Sequence, residues 1–188
     1  TIDNNTGYVV AIVGGRDQDF NSYTLNRAFQ SHRQPGSSIK PLIVYTPAFE
    51  RGYDPNTIVD YHKFEGGPSN ATNTYAGKIQ LRNAVAKSLN TVAWQVYEQV
   101  TPKVGLQYLK NMNFSSIVKD DYTLATSLGG FTKGVSPLEM ASAYAALEND
   151  GMFRQPNCSK SIVDADENIV YSSQMTEVSI YEQDAART

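Results

Sequence analysis

The sequence predicts a mixed α/β fold of the α+β type, in which a sheet carries packed helices and roughly residues 80–150 form a helical subdomain. Three observations predict it. A β-rich stretch bounded by glycines lies near the start, a series of capped helical segments fills the middle, and two short β-rich runs follow residue 160. At 188 residues the chain is long enough to build a hydrophobic core.

Gly7-Tyr8-Val9-Val10-Ala11-Ile12-Val13-Gly14-Gly15 reads as a buried strand of the main sheet that ends in a glycine turn. Polar residues from Asp17 to Asn26 follow, and Gln34-Pro35-Gly36 signals a turn. A helix is expected from Ser37 or Ser38. Pro41 favours that start, because the first four N–H groups of a helix have no intrahelical acceptor and a proline there loses little. From Gly52 to Gly77 the chain is rich in Gly, Pro, Asn, Thr and Asp, which predicts a long loop of the kind that carries function. Ile79 to Ala86 resumes a helical pattern, Ser88-Leu89-Asn90-Thr91 interrupts it, and a second helix is expected from Val92 to about Gln99. Thr101-Pro102 reads as an N-cap followed by proline at the first helical position, opening a helix through Leu106, Leu109 and Met112. Ser136-Pro137-Leu138-Glu139 combines an N-cap, a proline at N1 and a capping-box glutamate, with Gly151 as the stop. Lys160–Asp164 and Asn168–Tyr171 form a hairpin across Ala165-Asp166-Glu167, and Gln183 to Thr188 begins another helix.

Composition removes several function classes. Lys and Arg total 16 against 19 Asp and Glu, which gives no electrostatic basis for binding nucleic acid or an anionic membrane. The longest apolar run, Tyr8 to Val13, is far short of a membrane-spanning helix, and Thr1 to Thr6 shows no secretory n-region, so any export signal or anchor is expected outside these residues. One cysteine (Cys158) and two histidines (His32, His62) cannot build a disulfide framework or a Cys-rich zinc site, and no metal or organic cofactor is expected. Cys158 reads as a bystander in a turn. His32 precedes Ser37 by five residues, but no G-x-S-x-G elbow supports a Ser-His-Asp site, and His62 reads as loop surface or cleft lining.

Two short patterns carry chemistry. Ser37-x-x-Lys40 puts a hydroxyl and an amine on one face of a helix start, close enough to hydrogen-bond directly. A desolvated lysine near the positive end of a helix can be neutral enough to take the serine proton, and the Ser37 backbone N–H is available to a developing oxyanion. The same spacing fits an ordinary capped helix start; the flanking Pro35-Gly36 and Pro41 favour the chemical reading by pinning the helix start at the motif. Ser88-x-Asn90 reads either as an inter-helix cap or as a second hydroxyl that relays a proton, with an amide that holds substrate and the lysine.

Arg33-Gln34-Pro35-Gly36-Ser37-Ser38-Ile39-Lys40-Pro41 resembles the active-serine segment of class A, bifunctional penicillin-binding proteins. Other stretches agree in order: Gly14-Gly15-Arg16-Asp17 with Asn26-Arg27-Ala28, then Leu81 to Thr91, then Leu128-Gly129-Gly130 with Gly134 to Ala141. The resemblance implies the serine D,D-peptidase/β-lactamase-like transpeptidase fold, with the site in a cleft between Ser37 on the sheet side and Ser88 and Asn90 on the helical side. It also implies a D,D-transpeptidase that cross-links peptidoglycan stem peptides. Ser37 would attack the D-Ala-D-Ala carbonyl, Lys40 would be its base, Ser88 would relay a proton and Asn90 would position substrate. β-Lactam antibiotics would acylate the same Ser37, on the extracytoplasmic face of a bacterial membrane. The sequons Asn70-Ala71-Thr72 and Asn157-Cys158-Ser159 carry no weight in a bacterial-type protein.

One departure is large. The family's third motif, Lys-Thr/Ser-Gly on a strand, does not occur; Thr132-Lys133-Gly134 has the composition in the wrong order and place. The 188 residues are therefore expected to be the N-terminal part of a single transpeptidase domain. The third-motif strand would lie in a C-terminal remainder, possibly a separate chain, and the glycosyltransferase domain and anchor would precede Thr1. The fragment alone is expected to expose strand edges and apolar surface. Two alternatives stay open: a D,D-carboxypeptidase or β-lactamase using water as acceptor, and a non-catalytic peptidoglycan- or β-lactam-sensing module.

Overall fold

Prolines shape the central helical segment of the computed structural model, which describes residues 1–16 and 24–188. A 3₁₀ turn, Gly36–Ile39, opens it, and there the Ser37 carbonyl accepts the Lys40 N–H. Pro41, which has no N–H to place, comes next and begins a π-helical stretch, Pro41–Tyr45. The Thr46 N–H returns to the Pro41 carbonyl, five residues back, and helix α1 (Thr46–Phe49) completes the segment. In this register the Leu42 carbonyl points at Pro47, which has no donor. The Tyr181 hydroxyl, from the far end of the chain, donates to that carbonyl at 2.8 Å instead.

Ile39, Leu42, Ile43, Val44 and Ala48 are fully buried and form the centre of the core. Around them run α2 (Leu81–Ala86), α3 (Asn90–Val100), α4 (Pro102–Asn111) and α5 (Pro137–Glu148). α4 sits so close that a Cβ on Gly105 would lie 2.8 Å from the Ile43 carbonyl oxygen, which explains the glycine there. The cap readings hold. Thr101 Oγ1 accepts from the Val104 N–H, and Ser136 and Glu139 form the reciprocal capping box of α5. α6 (Gln183–Arg187) ends the described chain and packs on α1 and α5.

Among the described residues the strands form three two-stranded antiparallel ladders: β1 (Ile58–Tyr61) with β2 (Gly77–Gln80), β3 (Met152–Arg154) with β6 (Glu177–Ser179), and β4 (Ser161–Val163) with β5 (Ile169–Ser172). The β4–β5 ladder is the expected hairpin. The expected strand over Tyr8–Val13 does not form; among the described residues it makes isolated bridges from Ile2 to Val9 and from Tyr8 to Asn157, and Val10 and Ala11 hydrogen-bond to Thr1. A strand needs a neighbour along its whole length, and without one Val10, Ile12 and Val13 are 62%, 46% and 77% exposed rather than buried. The 52–77 excursion is not all loop, since it contains β1, whose pairing with β2 also claims Ile79 and Gln80 from the helix expected there. α3 begins at Asn90, two residues before the expected start. Asp17 lies outside the described residues.

Candidate active site

Lys40 is only 1% exposed, although its side chain belongs to a cation. The first turn of the central helix aims it at the tight turn between α2 and α3, where Ser88 adopts a left-handed φ of 50°. Its ammonium donates to the Ser88 carbonyl at 2.8 Å, to Ser88 Oγ at 3.1 Å and to Asn90 Oδ1 at 2.8 Å. All three ammonium protons are thereby placed. No carboxylate takes part, so burial acts unopposed and pulls the lysine down from its ordinary value to about 8.

Two of those partners, the Ser88 carbonyl and Asn90 Oδ1, can only accept. The third, Ser88 Oγ, can accept or donate. When Lys40 gives up its proton, the two fixed acceptors hold its remaining N–H groups, and the lone pair faces the Ser88 hydroxyl, which reverses and donates. The geometry thus contains a proton path between an amine and a hydroxyl with a defined direction.

Asn90 is the first residue of α3, and its amide is fixed at both ends: Oδ1 on Lys40, and Nδ2 donating to the Ser69 carbonyl at 2.9 Å. Ser37 is exposed and lies one helical turn before Lys40. The expected direct Ser37–Lys40 hydrogen bond is not formed, because the lysine's protons go to Ser88 and Asn90. The structure therefore groups Lys40, Ser88 and Asn90 as one network, with Ser37 exposed one helical turn away. Ser37 lies in the first turn of the central helical segment, as its spacing from Lys40 and Pro41 predicts.

The turn that carries Ser37 is braced from behind. Gly129, at φ 86°, packs so tightly that an added Cβ would collide with the Gly36 backbone. Gln34 Nε2 donates to the Phe131 carbonyl at 3.3 Å, Arg33 bridges Val135, and the Tyr144 hydroxyl donates to the Ser38 carbonyl at 2.7 Å. Sequence reasoning assigns Tyr144 no part in the site, and Asn70, which sits beside Asn90, stands out there only as part of a sequon that carries no weight. Only the expectation of a functional loop at 52–77 pointed towards Asn70. His32 Nε2 is 3.4 Å from Ser115 Oγ, His62 pairs with Asp60 at 3.1 Å, and Cys158 is exposed. None of the three joins the network. Thr132-Lys133-Gly134 lies in a turn, where the Thr132 N–H donates to the buried Asp121 carboxylate at 2.7 Å. Among the described residues no group of three or more His, Cys, Asp or Glu is placed to hold a metal ion, and no helix is long and apolar enough to cross a membrane.

An exposed serine one turn from a buried, carboxylate-free lysine, with a second hydroxyl and an amide at hand, is the constellation of the serine acyl-transfer proteins that use lysine as base. The chain belongs to the penicillin-binding protein transpeptidase domain family, whose model matches residues 1–188. Penicillin-binding protein 4 of Bacillus subtilis (strain 168) is 34% identical over 174 residues, covering 90% of this chain and 28% of that protein. Penicillin-binding protein 1F of the same organism is 36% identical over 169 residues, covering 88% and 23%. The structure of the PonA1 protein from Mycobacterium tuberculosis in complex with penicillin V matches with a TM-score of 0.83 at 23% identity, over 98% of this chain and 51% of that one, a likeness of fold. This chain spans about a quarter of the length of the curated relatives it matches.

Proposed function

We propose that this chain is the N-terminal part of a class A transpeptidase domain that cross-links peptidoglycan stem peptides through an acyl-enzyme on Ser37. The observation that carries the reading is the buried Lys40, held by two obligate acceptors and one reversible hydroxyl. Ser37 Oγ attacks the D-Ala-D-Ala carbonyl as its proton passes, by way of the Ser88 hydroxyl, to the lone pair of neutral Lys40, and the Ser37 N–H at the helix start supports the oxyanion. The peptide C–N bond breaks, and the leaving D-Ala amine takes a proton that Lys40 supplies through Ser88. An amine of a second stem peptide then attacks the Ser37 ester, gives up a proton along the same path and frees the serine. Asn90 holds the lysine and the substrate backbone.

A β-lactam carbonyl would acylate Ser37 by the first half of this sequence. The third-motif strand, on the C-terminal remainder of the domain, would supply the rest of the oxyanion site, and the protein would work on the extracytoplasmic face of the bacterial membrane through an anchor outside these residues. No step calls for a metal or an organic cofactor.

The test is to supply a stem-peptide analogue to this chain joined with the rest of its domain, with and without an acceptor amine, and to weigh the products by mass spectrometry. A cross-linked dimer formed only with the acceptor supports the reading. Hydrolysis alone assigns the carboxypeptidase or β-lactamase chemistry, and acylation without turnover assigns a sensing module.

A further inference from the structure

Between His62 and Gln80 one residue is buried: Asn70, at 4% exposure, in a loop whose other side chains are exposed or half-buried. Its carboxamide reaches α3. Oδ1 accepts the Asn90 N–H at 2.7 Å and the Thr91 N–H at 3.2 Å, while Nδ2 donates to Thr91 Oγ1 at 3.2 Å. These N–H groups open α3 and have no acceptor within the helix. The residue at the N-cap is Leu89, whose side chain carries no oxygen, so the cap comes from twenty residues upstream.

The same loop grips Asn90 a second time. The Ser69 carbonyl, next to Asn70 in the chain, accepts Asn90 Nδ2 at 2.9 Å. An asparagine amide is free to turn over, exchanging its acceptor for its donor. Here the Ser69 carbonyl requires a donor on one side and Lys40 requires an acceptor on the other. Asn70 fixes both the backbone that carries Asn90 and the carbonyl that sets the Asn90 amide.

We propose that Asn70 is a positioning residue for Lys40: by capping α3 and anchoring the Ser69 carbonyl it keeps Asn90 Oδ1 facing the lysine, and so keeps the lysine dry and its lone pair directed at Ser88. The inference rests on the reading of Lys40 as the base, but its test does not. Among the described residues Lys40 is the one titratable side chain in this hydrogen-bonded cluster; its other members, Ser88, Asn90, Ser69, Asn70 and Thr91, are neutral.

The experiment follows the Lys40 Cε signal by carbon NMR across a pH titration, in the parent and in Asn70→Ala, using the full chain, with thermal unfolding to certify the fold. Removal of the clamp admits water to the ammonium, and the midpoint is expected to move upward by about one pH unit, which lowers acylation at neutral pH roughly tenfold. A folded Asn70→Ala with the parental midpoint overturns the proposal. So that the test survives a variant that does not fold, exchange of the Asn90 backbone amide is measured in the parent. Slow exchange is expected of a proton held by a buried side chain, and exchange at the rate of an open loop overturns the proposal. Absence of any β-lactam adduct on the parent would instead strike the reading of Ser37 and leave the midpoint and exchange results to decide on Asn70.

Discussion

Raising the pH from 6 to 9 is a titration of the proposed base. With Lys40 at about 8, about one molecule in ten carries the neutral amine at pH 7, against about one in three thousand for a lysine at its ordinary value. If neutral Lys40 takes the Ser37 proton, the second-order rate of acylation by a penicillin rises about tenfold per pH unit below the midpoint and levels above it, roughly a hundredfold across the range. The assay quenches the reaction at timed intervals and counts the adduct by intact mass, with Lys40→Arg as control, since a guanidinium keeps its proton throughout. A flat profile, a limb centred at the ordinary lysine value, or parental acylation by Lys40→Arg would refute the reasoning. Stability must move with the same group. Lys40 binds its proton less tightly folded than unfolded, so its burial costs stability at neutral pH, and the cost lifts as pH rises from about 8 towards 10.5. Denaturant titrations of the parent and Lys40→Met should diverge in that window, the parent gaining relative to the variant.

Three further substitutions probe the frame. Tyr181→Phe leaves the Leu42 carbonyl without a donor inside the core, and denaturant unfolding should show a loss of about 1–3 kcal/mol; an unchanged midpoint would show that another donor serves that carbonyl. Gly129→Ala drives a Cβ into the Gly36 backbone at a left-handed φ, so it should cost about 1–3 kcal/mol and slow Ser37 acylation as well, whereas a loss of stability with parental acylation would uncouple the turn from the site. Tyr45→Phe removes a buried hydroxyl that has no partner among the described residues, so thermal unfolding should find the variant equal to the parent or more stable by about 1 kcal/mol.

Features encoded within a few residues could be read from the sequence. The caps at Thr101 and Ser136, the β4–β5 hairpin and the helix start at Ser37-x-x-Lys40 depend on neighbours three or four positions away, and they appear where expected. Features that depend on distant partners could not. The apolar run Tyr8–Val13 has the composition of a strand, but pairing is decided by whichever segment lies alongside it. The spacing of Ser37 and Lys40 suggested a direct bond, yet the lysine's hydrogen bonds were settled by Ser88 and Asn90, some fifty positions on. Asn70 carries no local signal because the helix it caps begins twenty residues later, and the Tyr181 hydroxyl meets an orphan carbonyl 139 residues away that only the proline register creates.

The central claim is that Ser37 is a nucleophile served by Lys40. It is tested most directly by incubating this chain, joined with the rest of its domain, with a labelled penicillin and locating the covalent adduct by intact mass and peptide mapping. The account predicts one adduct, on Ser37, that is lost in Ser37→Ala. No adduct on the parent, or an undiminished one on Ser37→Ala, would contradict it.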